Sequence, residues 1–563
     1  HLSSLPHQPI PTSMSLQTPL QKFSHWESTI PDKVFLRQPI DGRWIDYSWR
    51  KAGDEVRRIA AGLKALNLPP KSRIALLSKN CAHWMMADLA IWMSGHITVP
   101  LYPTISAGTI RQILEHSESV AIFVGKLDEY ESQRSGIPDS VQKISFPFYG
   151  ITEGLKWDDL LAAHQPLSGN VGHQLEDLAS ITYTSGTTGV PKGVMMTVES
   201  LSFSVTLALD CIKRTVPFPS NPKLFSYLPL SHVAERMVIG LLGIWEGGTI
   251  AFAESLETFG KNLADTQPDL FFGVPRIWAK FQEKILEKMP QKKMDRLLSI
   301  PIINSLVRKK IKTALGLYQS GINLSGAAPI PPDTLRWFAK LGIVIREVYG
   351  MTENCAVSHI NLDKIKIGTV GRAWPGIETR ISPEGEIQTR HAGSMKGYYK
   401  EPVLTAEMFT EDGFLRTGDK GEVDSEGFLT ITGRIKDLFK TDKGKYVAPG
   451  PIEMKLLSNP DLEQVCVVGM GIPQPIVLAV LSAAGKAKNK GELMAGLEAT
   501  LNEVNAGLEH HEVLERVVVM KDAWTIENNL MTPTLKVKRN EVEKIHLPKY
   551  RTWYDGDAVV VWE

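Results

Sequence analysis

The sequence predicts an α/β protein: a large N-terminal domain of layered α/β subdomains with a small β-barrel-like region, then a small α+β C-terminal domain. Three observations carry this. Segments of helical period alternate with short apolar runs over most of the chain, the pattern of layered α/β folds. The 563 residues exceed what one hydrophobic core supports and call for several domains or subdomains. From Gly376 the texture changes to short strands split by Gly, Pro and Asp, and after Arg434 to a Lys-rich tail of roughly 130 residues, the size of a separate small domain. The boundary falls at Lys436 and divides the chain into 14–435 and 437–563.

Taken in order, residues 50–66 place Ala52, Val56, Ile59, Ala60 and Leu63 at helical spacing. Residues 73–77 and 120–124 read as strands, 181–183 as a strand leading into a glycine-rich segment, and 343–349 as a buried strand ending at Gly350. Short strands are expected at 378–381, 386–389 and 428–432. Residues 276–312 hold 11 basic and three acidic residues interleaved with Ile, Leu, Met, Phe and Trp. Two readings stay open there: a pair of surface helices with solvated lysines, or a cationic amphipathic surface in peripheral contact with an anionic membrane.

Composition excludes several classes. With 43% hydrophobic and 22% charged residues the chain is neither disordered nor fibrous. A net charge of +1 supplies no global field for nucleic acid, so an anionic ligand needs a local site. Cys81, Cys211, Cys355 and Cys466 stand singly without metal or disulfide spacing, which suits a reducing, cytoplasmic setting. Residues 89–110 lack Asp, Glu, Lys and Arg but are broken by Pro100 and Pro103, and 237–245 fall short of the ~20 residues a membrane span requires. Residues 1–13 carry no Lys, Arg or apolar run; they read as a cloning remnant ahead of Met14, not a signal peptide. Gly469-Met470-Gly471 lacks the third glycine of a dinucleotide fingerprint and reads as a turn.

The strongest chemical signal is Thr182-Tyr183-Thr184-Ser185-Gly186-Thr187-Thr188-Gly189-Val190-Pro191-Lys192-Gly193. Glycines let backbone N–H groups approach phosphate oxygens, hydroxyls add donors, and Lys192 supplies charge. The spacing is not that of a Walker loop. The segment resembles the phosphate-loop signature of the adenylate-forming superfamily: acyl-CoA synthetases, luciferases and peptide-synthetase adenylation domains. Further motifs of that superfamily follow in order: Tyr349-Gly350-Met351-Thr352-Glu353, Arg416-Thr417-Gly418-Asp419, Gly433-Arg434-Ile435-Lys436-Asp437 and Pro533-Thr534-Leu535-Lys536.

The resemblance implies ATP, Mg²⁺ and the co-substrate CoA. Thr184, Ser185, Gly186, Thr187, Thr188 and Gly189 would cradle phosphates with Lys192. Glu353 and Thr184 would hold Mg²⁺, and Thr352 would reach the α-phosphate. Tyr349, Gly350 and Met351 would meet adenine on one side and Gly326, Ala327 and Ala328 on the other. Asp419 and Arg434 would take the ribose. Lys536 would neutralise the forming acyl-phosphate bridge; many superfamily members have Gly before this lysine where Leu535 stands, and Lys538 competes for the assignment. The small domain would be mobile, turning at Lys436 between two half-reactions and bringing the loop around Gly444 to the site for a thiol.

Leu228-Pro229-Leu230-Ser231-His232-Val233-Ala234-Glu235-Arg236 is similar to the acyl-pocket motif of the long-chain fatty acyl-CoA synthetase branch, with His232 beside the carboxylate. Some bacterial members of that branch carry a gating tryptophan where Arg236 stands. The implied activity is a long-chain fatty acid–CoA ligase, with fatty acid and CoA as partners and no nucleic acid. A fatty acyl-AMP ligase loading a carrier-protein thiol, a medium-chain or aryl acid–CoA ligase, a catalytically silent nucleotide-binding scaffold and a lipid-surface protein stay open. Oligomeric state is not legible.

Overall fold

The computed structural model describes residues 16–169, 173–184, 191–532 and 535–563. Helix Ala82–Met93 is buried at all of its 12 residues and packs on strands of both large sheets, as a helix apolar all round must. One sheet has nine strands in the order 372–373, 359–360, 345–349, 322–325, 270–273, 223–226, 249–252, 34–40 and 43–48. The other has eight: 397–398, 192–197, 178–184, 97–101, 73–77, 119–124, 142–145 and 155–156. Their centres are parallel, which explains near-continuous apolar runs such as 73–77 and 119–124. Pro100 is accommodated within strand Ile97–Leu101 because that strand meets its neighbour Leu178–Thr184 at a single pair, Thr98 opposite Ser180.

Strands Glu378–Ile381, Glu386–Arg390, Leu415–Val423 and Leu429–Arg434 form an antiparallel sheet of four. Beyond the turn Ile435–Asp437 a second core forms around strands Leu462–Val468, Ile476–Leu481, Val517–Val519 and Val560–Trp562, with helices Pro449–Leu456 and Lys490–Asn505 against it. Gly471 has φ of +75°, in keeping with the turn expected there.

Two expectations change. The strand at 343–349 starts at Ile345, since Ile343 and Val344 belong to the turn after helix Pro332–Lys340. Residues 276–312 form three helices rather than a pair: Pro275–Lys288, Gln291–Leu298 and Ile303–Leu315. Pro290 and Pro301 stand at the two breaks, where the ring removes a donor and forces the preceding residue out of the helical region.

All four cysteines are free and buried. Burial pushes the Cys211 thiol up to about 11 and those of Cys355 and Cys466 up to about 12. No helix among the described residues is long and apolar enough to cross a membrane.

A buried ion pair pins the chain at the end of residues 228–236. Arg236 Nη2 donates to both oxygens of Asp88 at 2.7 Å, Nη1 donates to Ser180 Oγ at 2.7 Å, and Thr98 Oγ1 donates to Asp88 Oδ1 at 2.7 Å. Trp84 and Trp92 flank the guanidinium at 5.7 and 5.2 Å. Residues Arg236–Leu241 wind as a π-helical stretch directly over this pair. Truncating one member strands the other charge, which costs about 3–5 kcal/mol. Asp88→Ala is therefore expected to lower the thermal unfolding temperature of the N-terminal unit; an unchanged melting curve by calorimetry would remove the pair from the stability of the fold.

Candidate active site

Strand Leu178–Thr184 pairs antiparallel with Lys192–Thr197, with Thr184 opposite Lys192, so both ends of the glycine-rich segment are held at one sheet edge. Ser185, Gly186, Thr187, Thr188 and Gly189 themselves, like Pro533 and Thr534, lie outside the described residues. The Lys192 ammonium stands 5.7 Å from the Tyr398 ring, and the Tyr398 hydroxyl donates to Glu353 Oε1 at 2.7 Å. The structure thus brings Thr184, Lys192 and Glu353 together through Tyr398, a residue sequence reasoning missed. Tyr398 sits on a two-residue strand set by pairing with Val194, which leaves no periodic signal to read.

Glu353 is buried in the turn Thr352–Asn354, where Met395 N donates to its carbonyl at 2.7 Å. Among the described residues no group of three or more His, Cys, Asp or Glu could hold a metal ion. One buried carboxylate near a hydroxyl still fits Mg²⁺, which takes one or two protein oxygens and fills its octahedron with phosphate and water.

Asp419 and Arg434 lie directly opposite each other on neighbouring strands. Arg434 Nε donates to Asp419 Oδ1 at 2.8 Å, and the Tyr349 hydroxyl donates to Oδ2 at 2.7 Å. Asp419 is buried, while Arg434 opens to solvent. The neighbouring carboxylate holds the Arg434 guanidinium above its usual range, and burial followed by Asp419 raises the Tyr349 phenol. Each carboxylate oxygen keeps a second lone pair, so the group can still accept from a diol.

Glycine is required at two places by close approach. A Cβ on Gly350 would fall 2.4 Å from the Ala356 carbonyl carbon, and one on Gly326 would fall 2.6 Å from Val348 Cγ2. These contacts hold the Gly326-Ala327-Ala328 turn, with Ala327 at φ +68°, against the end of strand Ile345–Tyr349. Met351 N donates to Asn354 Oδ1 at 2.8 Å and fixes the following turn with Thr352.

His232 caps the short helix Val233–Glu235, its Nδ1 accepting from Ala234 N at 3.2 Å. That bond assigns the proton to Nε2. Burial, then the Lys536 charge, pushes the ring down to about 3, so it is a neutral donor.

Lys536 comes from the other unit. The residue is exposed, yet the protein gathered around its ammonium, and then Arg434, push it down to about 8, with Asp419 and Asp437 opposing. Thr532 N donates to Lys536 O at 2.8 Å, and Lys536 N donates to Thr532 Oγ1 at 3.1 Å, closing a tight hairpin. Leu535 occupies it at φ +63° and packs on both the N-terminal core and a C-terminal cluster. The left-handed backbone accounts for the suitability of glycine at this place. Lys538 is turned elsewhere, donating to Asn529 Oδ1 at 2.5 Å.

Two residues of the set are not gathered in. Lys436 is exposed on the turn Ile435–Asp437. Gly444, at φ +78°, tips the hairpin of 439–440 and 446–447, and its N–H donates to Thr441 O within that hairpin at 2.9 Å.

Residues 23–399 match the family of AMP-binding enzymes, and 436–556 match the AMP-binding enzyme C-terminal domain. The chain belongs to the AMP-binding enzymes. Its relatives place this AMP-binding enzyme in the fatty acyl-CoA synthetase branch of the adenylate-forming superfamily, and it is an ATP-dependent ligase. The Long-chain-fatty-acid--CoA ligase FadD15 of Mycobacterium tuberculosis is 29% identical over 92% of this chain and 94% of its own. The Fatty acyl-CoA synthetase B of Dictyostelium discoideum is 28% identical over 89% of this chain and 84% of its own. Among solved structures, the A domain of a carboxylic acid reductase from Segniliparus rugosus in complex with AMP superposes with a TM-score of 0.77 at 21% identity, over 96% of this chain and 95% of that one.

The left-handed backbone at Leu535 yields a prediction. Leu535→Gly is expected to keep adenylate formation within about twofold. Leu535→Val, whose β-branched side chain resists positive φ at a cost of about 1–2 kcal/mol, should lose about tenfold in pyrophosphate exchange. Equal rates for the two variants would discard the hairpin geometry as a determinant.

Proposed function

We propose that this AMP-binding enzyme is a long-chain fatty acid–CoA ligase that acts in two steps, forming acyl-AMP and pyrophosphate from fatty acid and ATP, then acyl-CoA and AMP. The observation that supports this most is Lys536: a cation from the C-terminal unit close enough for its charge to act on His232, and for Arg434 and Asp419 to act on it, all three from the N-terminal unit. Attack of a carboxylate on a phosphate gathers negative charge, so catalysis here is positioning and neutralisation.

In this reading Thr184, Ser185, Gly186, Thr187, Thr188, Gly189 and Lys192 cradle the phosphates, and Thr352 orients the α-phosphate. Glu353, its free rotation removed by Tyr398, would hold Mg²⁺ together with Thr184. When bound, the ion offsets phosphate charge. Asp419 accepts from the ribose hydroxyls while Arg434 and Tyr349 fix its carboxylate. Gly326, Ala327, Ala328, Gly350 and Met351 leave room for adenine beside Tyr349. His232 presents its Nε2–H toward the substrate carboxylate without adding charge. For the thiol step, the C-terminal unit turns at Lys436, Lys536 leaves, and the hairpin carrying Gly444 approaches. Each CH₂ buried by an acyl chain adds about 0.8 kcal/mol, the basis for preferring long chains.

Product analysis by mass spectrometry, from ATP, Mg²⁺ and a mixture of short- to long-chain acids with and without CoA, tests the reading. Long-chain acyl-CoA with AMP is expected only where CoA is present. Acyl-AMP persisting with CoA present would replace the ligase by a carrier-protein loader, and aryl or medium-chain products would replace the substrate class. Lys536→Ala should abolish adenylate formation and spare thioester formation from supplied acyl-AMP; equal loss in both steps would sink the domain rotation.

The charge on Lys536 also sets a pH dependence. Protonated below its value of about 8 and neutral above it, the lysine makes kcat/KM for ATP in pyrophosphate exchange fall as pH rises through that value. Lys536→Arg should flatten this limb, and a wild-type profile level to pH well above it would assign the charge elsewhere.

A further inference from the structure

The outer face of the three helices over 275–315 takes no part in the site. Its inner face is anchored: Trp278, Phe281, Met294 and Ile311 are buried in one cluster with Phe338. Its outer face presents Ile300, Ile302, Ile303 and Leu306 to solvent within seven residues, Ile302 at 80% and Leu306 at 64% exposure. Ile302 is the central residue of a γ-turn of positive φ (+71°), closed by Ile303 N donating to Pro301 O at 2.9 Å. This is the rare, strained form of the turn, and a β-branched residue is the worst suited to it.

The two helices that flank this apolar tip, Gln291–Leu298 and Ile303–Leu315, carry Lys292, Lys293, Arg296, Lys309 and Lys310, all exposed. Over 292–312 there are seven basic residues and one acidic one, Asp295, which accepts from Gln291 Nε2 at 2.8 Å.

We propose that this tip is a docking wedge for an anionic lipid bilayer, with the Ile302 turn and Leu306 entering the acyl boundary and the surrounding lysines and Arg296 facing lipid phosphates. Apolar side chains at the apex of a cationic collar match the two phases of a membrane surface in their order of depth. A second copy of the chain is a poor occupant, because a two-fold contact would set this collar against itself. The docking is peripheral, since no described helix spans a bilayer.

Sedimentation of the full chain with phosphatidylcholine vesicles, with and without about a third phosphatidylglycerol, tests this. Binding is expected to be at least about tenfold stronger to the anionic vesicles and to weaken as salt rises. Ile302→Gly, which relieves the turn while removing the side chain, and Lys292→Glu with Lys293→Glu should each cut the partition coefficient about tenfold, with unchanged circular dichroism and unchanged turnover of dispersed fatty acid. Equal binding to neutral vesicles, no binding, or binding indifferent to both variants would overturn the proposal. So would a concentration-dependent dimer in lipid-free light scattering that Ile302→Gly dissolves.

Discussion

Lys536, the cation the proposed chemistry needs, comes from the C-terminal unit, whereas His232, Asp419 and Arg434 come from the N-terminal one, so the proposed site depends on the seam between them. Polar and apolar contacts both cross the seam. Arg276 Nη2 meets Glu463 Oε1 at 2.5 Å, Arg276 Nη1 reaches Met531 Sδ at 3.2 Å, and Leu535 supplies the apolar contact beside the lysine. Polar contacts of this kind can be exchanged for others at modest cost. The proposed two-step chemistry asks for such exchange, since a cation needed while charge gathers would be in the way once a thiol must enter.

Charge in the centre is arranged by pairing and burial in different proportions. Asp419 has both oxygens engaged by Tyr349 and Arg434, so its carboxylate is fixed in direction. His232 is kept neutral by burial and the nearby ammonium. Lys536 is the group whose charge is poised nearest the pH of ordinary assays, at about 8. Asp88 and Arg236 hold the end of residues 228–236 through a bond set that leaves the Arg236 side chain no freedom to swing.

Much of this was legible because the motifs lie at strand ends, where glycine and hydroxyl residues follow apolar runs and mark the turns that face ligand. Asp419 and Arg434 could be named singly, but their pairing comes from strand register, which a single sequence does not display. Tyr398 was hidden by the shortness of its strand. Leu535 looked like a departure from pattern until its φ showed that the position asks for a left-handed backbone and tolerates leucine for the packing it adds. The three-helix outline of 275–315 was masked by uniform amphipathic spacing, with Pro290 and Pro301 as the only punctuation.

The burial of every cysteine has a practical side. Their thiols are sheltered from solvent and, for Cys211, Cys355 and Cys466, held far above the pH of ordinary assays, so thiolate is scarce on the folded protein. A chromogenic disulfide reagent added to the native enzyme would then count the free thiol of CoA against a quiet protein background, and a rising background would itself signal unfolding.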